Sequence, residues 1–237
     1  MRYVISDIHG CYEEYMQLLK EINFSDNDEL YVLGDVVDRG PEPVKVLQDM
    51  MKRSNVIFIL GNHDLIMYMM MKKLLVVAEE DNYATHLTVE DYMDYMSWLQ
   101  DGGAITVEKF RQLSDIERMD ILDYLSEASV YEVLENNEKK YILVHAGLGN
   151  FESDKGLDEY ELYELMEERM NYSKRYYSDI NTFIITGHTP TVCIKDWEKA
   201  EVYIKNGHIA IDCGCISGGR LAAYCIETEA VKYINKL

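Results

Sequence analysis

Five short motifs place a histidine, aspartate or asparagine beside a glycine, each directly after an apolar segment. In chain order they are Asp7-Ile8-His9-Gly10, Gly34-Asp35-Val36-Val37-Asp38-Arg39-Gly40, Gly61-Asn62-His63-Asp64, His145-Ala146-Gly147 and Gly187-His188-Thr189. One such motif is weak by itself, because similar turns are common without any function. Together they supply carboxylate, amide and imidazole ligands, which suit divalent manganese, iron or zinc. The set therefore indicates a metal centre built from several strand ends.

The first sixty residues contain the elements that must position the first three motifs. Apolar runs at 3–5, 30–33 and 56–60 predict three buried strands, and amphipathic segments at 12–22 and 41–52 predict the helices between them. This βαβαβ order is typical of a parallel sheet covered on both faces. Sites in such sheets form at the carboxyl ends of the strands, so the motifs should meet at one edge.

The rest of the chain predicts a helical region followed by more strands. We expect a single domain over 1–237 with a helical insertion at about 65–130. After it, the sequence predicts a hairpin over 131–144, an acidic helix from about 158 to 171, a buried strand at 182–186, a hairpin turning at Asn206-Gly207, and a β-rich tail over 220–235. Parallel strands first and antiparallel strands later are compatible with two sheets or with one large mixed sheet.

The charge balance limits the class of partner. The chain has 237 residues, with 23 Lys and Arg against 43 Asp and Glu, a net charge of −20. This excludes a general nucleic-acid binder, which needs a basic footprint, and argues against docking on an anionic membrane. A phosphate-bearing substrate stays possible, because bound cations reverse the local field. With no long apolar run and no signal-peptide pattern, we expect a cytoplasmic protein.

The ordered motifs resemble the phosphoprotein phosphatase branch of the calcineurin-like metallophosphoesterases. That family has D-x-H-G, G-D-x-x-D-R-G, G-N-H-E/D, H-A/G-G and G-H-T in the same order. Two further segments, 98–103 and 211–221, resemble the compact bacterial and phage members. The resemblance covers nearly the whole chain and implies an α/β fold with mixed β-sheets sandwiched by helices and a metal site at the strand carboxyl ends. Ser6 and Asp64 depart from the usual residues, at positions that hold no metal in the family.

The resemblance also implies two divalent metal ions, with manganese expected and iron, zinc or magnesium as alternatives. The ligands of the first ion would be Asp7, His9 and Asp35. Those of the second would be Asp35, Asn62, His145 and His188. Asp35 would bridge the two ions, which is chemically reasonable because a carboxylate has two oxygens.

The catalytic roles likewise come from the resemblance. They are the attack of a metal-bridging hydroxide on phosphorus and protonation of the leaving group by His63, which Asp38 would orient. Arg39 would bind phosphate oxygens through its planar fork. For a second phosphate-binding arginine we prefer Arg169 to Arg175, because Arg169 would end the acidic helix expected at 158–171.

The implied activity is that of a metal-dependent phosphoric ester hydrolase, and the substrate stays open. The leading interpretation is a serine/threonine-type phosphatase acting on a phosphorylated protein, and the alternative is symmetrical hydrolysis of a dinucleoside tetraphosphate. Hydrolysis of a small phosphate ester or a capped RNA end, a metal-dependent nuclease and a non-catalytic metal-binding scaffold are further hypotheses. The sequence contains no extended basic channel for a long nucleic acid. A non-catalytic scaffold would be expected to lack one of the metal ligands or the proton donor, and this sequence contains all of them.

Overall fold

The computed structural model describes residues 1–79 and 88–237, and it arranges them as two five-stranded β-sheets with flanking helices. The strands are β1 Arg2–Ile5, β2 Glu29–Leu33, β3 Val56–Ile59, β4 Tyr131–Asn136, β5 Lys139–Val144, β6 Thr182–Thr186, β7 Tyr203–Lys205, β8 His208–Ala210, β9 Arg220–Cys225 and β10 Val231–Asn235. The helices are α1 Tyr12–Glu21, α2 Pro43–Met51, α3 Asn62–Glu79, α4 Val89–Trp98, α5 Ala104–Arg111, α6 Asp115–Ser126 and α7 Leu162–Met166.

Each sheet has three parallel strands extended by antiparallel ones. The first sheet has the order β10-β9-β1-β2-β3, in which β1, β2 and β3 are parallel. The second has the order β4-β5-β6-β8-β7, in which β5, β6 and β8 are parallel. Of the two arrangements that the sequence left open, the chain adopts two sheets. The predicted fold class, mixed β-sheets sandwiched by helices, is confirmed.

The two sheets pack face to face, and alternate residues of each strand therefore enter different cores. Val4, Tyr31 and Ile59 of the first sheet share one buried cluster with Leu143 and Ile185 of the second. Their neighbours along the strands belong to a larger cluster that includes α1 and α2. Both faces of the central strands are thus buried, which explains their nearly continuous apolar runs.

The predicted helical region is present as α3 to α6, apart from residues 80–87, which lie outside the described residues. Ser114 precedes α6 and caps it with a capping box, in which the Glu117 carboxylate accepts a hydrogen bond from the Ser114 N–H at 2.9 Å. Between α4 and α5 the helical path breaks at Asp101 and Gly102, where Gly102 has a φ of +106°. No helix in the described ranges is long and apolar enough to cross a membrane.

The prediction of an acidic helix over 158–171 is wrong in its extent. The structure has a single 3-10 turn at Leu157–Glu159 and the five-residue helix α7. Beyond α7 the helix cannot continue, because the loop after β5 uses its last carbonyl groups. The Ala146 N–H donates to the Leu165 carbonyl and the Gly149 N–H donates to the Glu164 carbonyl, each at 2.9 Å.

Candidate metal centre and active site

The carboxyl ends of the six parallel strands meet around one cavity of about 260 Å³. The residues that line it come from both sheets and include Asp7, His9, Asp35, Arg39, Asn62, His63, Asp101, Arg169, His188 and Asp212. His145 lies directly beneath, fully buried. The sandwich therefore brings together the five motifs that the sequence analysis identified, although they are spread over more than 180 residues.

Asp35 lies at the centre and presents its two oxygens to different histidines. Its Oδ2 is 3.6 Å from His9 Nε2, and its Oδ1 is 3.4 Å from His145 Nε2. Burial by itself would raise the pKa of Asp35, but His145 and His9 lower it well below its usual range. The carboxylate is therefore charged and has the geometry that a bridging ligand requires.

Two groups of possible ligands share Asp35. One contains His9, Asp35 and His63, and the other contains Asp35, His145 and His188; within each group the ligand atoms lie within 4.8 Å of one another. Asn62 joins the second group, because its Oδ1 lies 3.1 Å from both His145 Nε2 and His188 Nδ1. The second group thus contains every ligand predicted for the second metal ion.

The first group differs from the ligands predicted for the first metal ion, because it contains His63 and does not contain Asp7. Asp7 borders the cavity, but its carboxylate accepts hydrogen bonds from the His188 N–H at 3.0 and 3.1 Å. Burial and the neighbouring Asp212 raise the pKa of Asp7 well above its usual value. His63, predicted as a proton donor, takes the third position beside His9 and Asp35.

Backbone carbonyls orient two of the imidazole rings. His9 Nδ1 donates to the Val37 carbonyl at 2.8 Å, and His145 Nδ1 donates to the Leu33 carbonyl at 2.6 Å. A carbonyl can only accept, so the proton resides on Nδ1 and Nε2 faces the cavity. His188 instead presents Nδ1 to the cavity. Burial lowers the pKa of His9 to about 4 and that of His188 to about 3, so both are neutral ligands at pH 7.

Six residues around the cavity have backbone conformations that non-glycine residues adopt rarely. Their φ angles lie between +43° and +68°, and they are Asp7, His9, Asp35, Asp38, Arg39 and His188. Such conformations cost about 1–3 kcal/mol each and persist where the surrounding structure holds them. Their concentration on one rim indicates that the rim is shaped for a functional site.

His63 and Asp38 form a buried pair. His63 Nδ1 donates to Asp38 Oδ2 at 2.7 Å. Asp38 is completely buried and accepts two further hydrogen bonds, from Trp98 Nε1 at 2.7 Å and from Thr106 Oγ1 at 2.6 Å. Burial lowers the pKa of His63, but the hydrogen bond to Asp38 and the nearby Asp35 outweigh it, and the net shift is upward.

Arg39 spans the mouth of the cavity. Its Nη1 donates to His9 Nε2 at 3.0 Å, and its Nη2 donates to His63 Nε2 at 2.7 Å and to Asp101 Oδ1 at 3.0 Å. The turn at Gly102 allows this approach, because a Cβ there would lie 2.6 Å from Arg39 Cγ. The planar guanidinium is therefore held over the metal ligands.

The two candidate second arginines lie in different places. Arg169 borders the cavity, from a loop beyond α7 rather than from the end of a helix. Arg175 donates to the Asp179 and Thr182 carbonyls at 3.0 and 3.4 Å, near the ring of Phe183. The structure thus brings Arg169 to the site and leaves Arg175 in a backbone-stabilising position.

Sequence reasoning assigned no role to several residues that shape the site. Asp64 is fully buried and accepts hydrogen bonds from the backbone N–H groups of Gly61, Asp35, Val36 and Val37, so it holds the loop after β2. Trp98, Asp101 and Thr106 come from the α4–α5 region, and Asp212 follows β8. A signal existed only for 98–103 and 211–221, which match compact members of the family.

The family model for calcineurin-like phosphoesterases matches residues 2–207. The chain belongs to this family. The predicted family is confirmed, and so is the enzyme class at the level of the family, that of metal-dependent phosphoester hydrolases. The family uses divalent metal ions.

Individual relatives agree with this assignment. A symmetrical bis(5'-nucleosyl)-tetraphosphatase of Wigglesworthia glossinidia brevipalpis is 31% identical over 59% of this chain and 55% of that protein. The chain thus spans about half the length of that relative. An asymmetrical bis(5'-nucleosyl)-tetraphosphatase of a Geobacillus species is 29% identical over 96% of this chain and 92% of its own length. A solved structure, provisionally described as a diadenosine tetraphosphatase, has a TM-score of 0.64 at 20% identity, covers 100% of this chain and 93% of its own, and shows the shared fold.

The residues of the second group fit a divalent cation, and the first group offers a neighbouring position that shares Asp35. Asn62 Oδ1 and the facing nitrogens of His145 and His188 are acceptors when the imidazoles are neutral, and they converge with Asp35 Oδ1 on one point. Burial by itself would lower the pKa of His145, but Asp35 outweighs it and raises the pKa to about 10, so the site holds a proton where a metal ion would supply the positive charge. Mixed imidazole, carboxylate and amide ligands suit manganese, iron or zinc.

Proposed function

We propose that this protein hydrolyses dinucleoside tetraphosphates with two divalent metal ions. The observation that carries the proposal is the pair of ligand groups that share Asp35, beside the buried His63–Asp38 pair and under Arg39. Two neighbouring cations can clamp the attacking and phosphoryl oxygens of a displacement at phosphorus. The proposed substrate class rests on the tetraphosphatases to which the chain is similar.

Each side chain of the site has a proposed role. Asp7, His9 and Asp35 would hold one ion, and Asp35, Asn62, His145 and His188 would hold the other. When bound, manganese supplies Lewis-acid chemistry that polarises phosphoryl oxygens and makes water more acidic. Arg39 and Arg169 bind phosphate oxygens, and His63 protonates the leaving oxygen from Nε2 while Asp38 holds its Nδ1 proton.

The interpretation as a serine/threonine-type phosphatase receives less support. The relatives named above are tetraphosphatases by name, and neither is a protein phosphatase. A dinucleotide is small, and its only charged groups are the phosphates that would face the positive groups at the cavity mouth. The dinucleoside tetraphosphate is therefore the favoured substrate, and the phosphorylated protein is the alternative.

The test is a direct comparison of substrates. Protein loaded with manganese is assayed on diadenosine tetraphosphate, on a phosphopeptide panel and on an aryl phosphate, and kcat/KM is compared. We expect at least a hundredfold preference for the dinucleotide, which corresponds to about 2.7 kcal/mol of transition-state binding. Parallel assays with iron, zinc and magnesium identify the preferred metal.

Product analysis defines the position of cleavage. Symmetrical hydrolysis releases only ADP, whereas asymmetrical hydrolysis releases ATP and AMP. The Asp35→Asn variant, nearly identical in size, should lose metal binding and turnover together. A phosphopeptide preference would overturn the proposed substrate, and normal turnover by Asp35→Asn would overturn the two-metal scheme.

A further inference from the structure

A second and larger cavity of about 940 Å³ adjoins the metal centre. Arg169 borders both cavities. The loop after β6 separates them, with His188 and Pro190 facing the metal centre and Thr189 facing the second cavity. Because Arg169 lines both spaces, a ligand bound in the second cavity and a group bound at the metal centre would contact the same side chain.

The two cavities differ in what they can hold. The cavity at the metal centre, at about 260 Å³, is below the usual range of about 300–1,000 Å³ for small-molecule pockets. It suits a phosphoryl group with little attached. The second cavity lies near the top of that range and has room for a nucleoside.

The charges on the second cavity are opposite to those of the chain as a whole. Arg169, Lys195 and Lys205 border it, against one carboxylate, Asp196. Both lysines are solvent-exposed. On a chain with a net charge of −20, this local excess of positive charge favours an anion.

The same cavity contains an aromatic ring in a fixed orientation. Trp197 is half-buried, and its Nε1–H donates to the Glu201 carbonyl at 3.0 Å. Its ring packs edge-to-face on Tyr203, with centroids 5.6 Å apart and an interplanar angle of 88°. A fixed indole beside basic side chains is the combination on which nucleotide bases stack while their phosphates are neutralised.

We propose that the second cavity binds one nucleotide half of a dinucleoside polyphosphate. Its base lies against Trp197, and Lys195 and Lys205 bind the phosphates that run towards Arg169 and the metal centre. This inference rests on the proposed function, because it assigns a subsite for that substrate. It makes the second cavity, rather than the metal centre, the source of selectivity for nucleotides over simple phosphate esters.

The test separates the two cavities by using substrates of different length. Lys195→Glu and Lys205→Glu should each lower kcat/KM on diadenosine tetraphosphate at least tenfold, and Trp197→Leu should do the same. On an aryl phosphate, which reaches only the metal centre, both lysine variants should stay within twofold of the wild type. Lys52→Glu, an exposed lysine just after α2, makes the same charge change far from both cavities and should alter neither reaction.

A binding measurement keeps this inference separate from the proposed function. ADP is titrated calorimetrically into the manganese-loaded wild type and lysine variants, with inorganic phosphate as a probe of the metal centre. We expect the Kd of ADP to rise at least fivefold in the lysine variants and that of phosphate to stay unchanged. Unchanged ADP binding and unchanged dinucleotide turnover would overturn the subsite, and so would equal losses on both substrates. If the wild type leaves the dinucleotide intact, the proposed substrate fails and the ADP titration alone decides the subsite.

Discussion

His63 is held by contacts that fix its orientation. Its Nδ1 is tied to a completely buried carboxylate, and its Nε2 faces the cavity within 2.7 Å of Arg39. Trp98 and Thr106 donate further hydrogen bonds to the two oxygens of Asp38, so the carboxylate is held in place. Asp38 thus gives the support that a proton donor to a leaving group needs, and Nε2 can carry the donated proton once Arg39 turns from it to the phosphate.

The His63→Asn variant tests this role through the leaving group. An alkoxide leaving group needs protonation, whereas a phenolate with a low pKa leaves without much help. We expect turnover of an alkyl phosphate to fall at least a hundredfold. The fold-loss on an aryl phosphate should be at least ten times smaller. Metal content, measured in the same samples, should stay at the wild-type level. Equal losses on the two esters would contradict proton donation and favour His63 as a metal ligand.

Asp101 competes with the substrate for Arg39. Its carboxylate accepts from Arg39 Nη2 at 3.0 Å and lies 3.5 Å from His63 Nε2, yet it is 64% exposed. A phosphate bound by Arg39 must displace or approach this negative charge, so Asp101→Asn should lower KM for an aryl phosphate about threefold to tenfold. Asp120→Asn, a change at an exposed residue on α6, removes the same charge and should leave KM unchanged. A higher KM in Asp101→Asn would instead make Asp101 a positioning residue for Arg39.

At the scale of elements, the strands with a regular apolar pattern could be predicted from the sequence. A helix whose length is set by tertiary contacts could not. The apolar runs of β1, β2 and β3 follow from burial on both faces, which a local pattern records. The helix expected at 158–171 has suitable helix-forming residues, but its carbonyls at 164 and 165 bond to a loop some 15–20 residues earlier in the chain. No local pattern contains that information.

The α4–α5 region supports the site from a distance in sequence. Thr106 Oγ1 donates to Asp38 Oδ1, and it also accepts from the Asp38 N–H at 3.0 Å. Thr106→Val keeps the shape and leaves both Asp38 groups buried and unpaired, so we expect a stability loss of about 1–3 kcal/mol. Turnover should fall about tenfold at unchanged metal content, because Asp38 then positions His63 less firmly. Thr106→Ser retains the hydroxyl and should restore both; a Ser variant as impaired as Val would show that packing alone matters.

At the scale of the whole molecule, the acidic charge and the phosphate chemistry are compatible. Four buried carboxylates, Asp7, Asp35, Asp64 and Asp212, lie near one another at the strand ends. Burial raises the pKa of Asp64 to about 7 and that of Asp212 to about 6, and the charge of Asp35 adds to both shifts. Divalent cations would neutralise this cluster, so the site itself attracts phosphate although the chain repels long polyanions.

The candidate ligands could be predicted from the sequence, and their supporting contacts could not. Ligand motifs stand at strand ends, and both sheets place the ends of their parallel strands at the same edge of the sandwich, so the motifs meet. The sequence could not indicate that His63 lies as close to His9 as a ligand would, or that Asp101 covers Arg39. Those relations depend on how two sheets and a helical region pack, and packing has no short sequence pattern.

The packing of α1 against the C-terminal residues depends on a buried carboxylate whose effect varies with pH. The Glu14 side chain is 3% exposed, and it accepts hydrogen bonds from Lys236 Nζ at 2.5 Å and from the Leu237 N–H at 3.1 Å. Burial raises the pKa of Glu14, but these donors outweigh it and lower the pKa below the ordinary value of 4.5. The stabilisation is therefore complete above pH 4.5 and is lost as the pH falls through the lower folded-state pKa.

Glu14→Gln should lower the free energy of unfolding at pH 7 by about 1–3 kcal/mol, because it removes charge from a buried, doubly hydrogen-bonded group. Below the folded-state pKa the variant and the wild type should converge, since the wild-type carboxylate is then protonated. Glu21→Gln is the matched control, because Glu21 pairs with Lys232 at 3.1 Å between the same helix and β10, but both groups are about half exposed. An exposed pair contributes about 0–1 kcal/mol, so Glu21→Gln should change the unfolding free energy little at any pH. Urea unfolding of the three proteins from pH 3 to 8 decides the matter, and a Glu14→Gln deficit that persists at pH 3 would assign the loss to packing instead of charge.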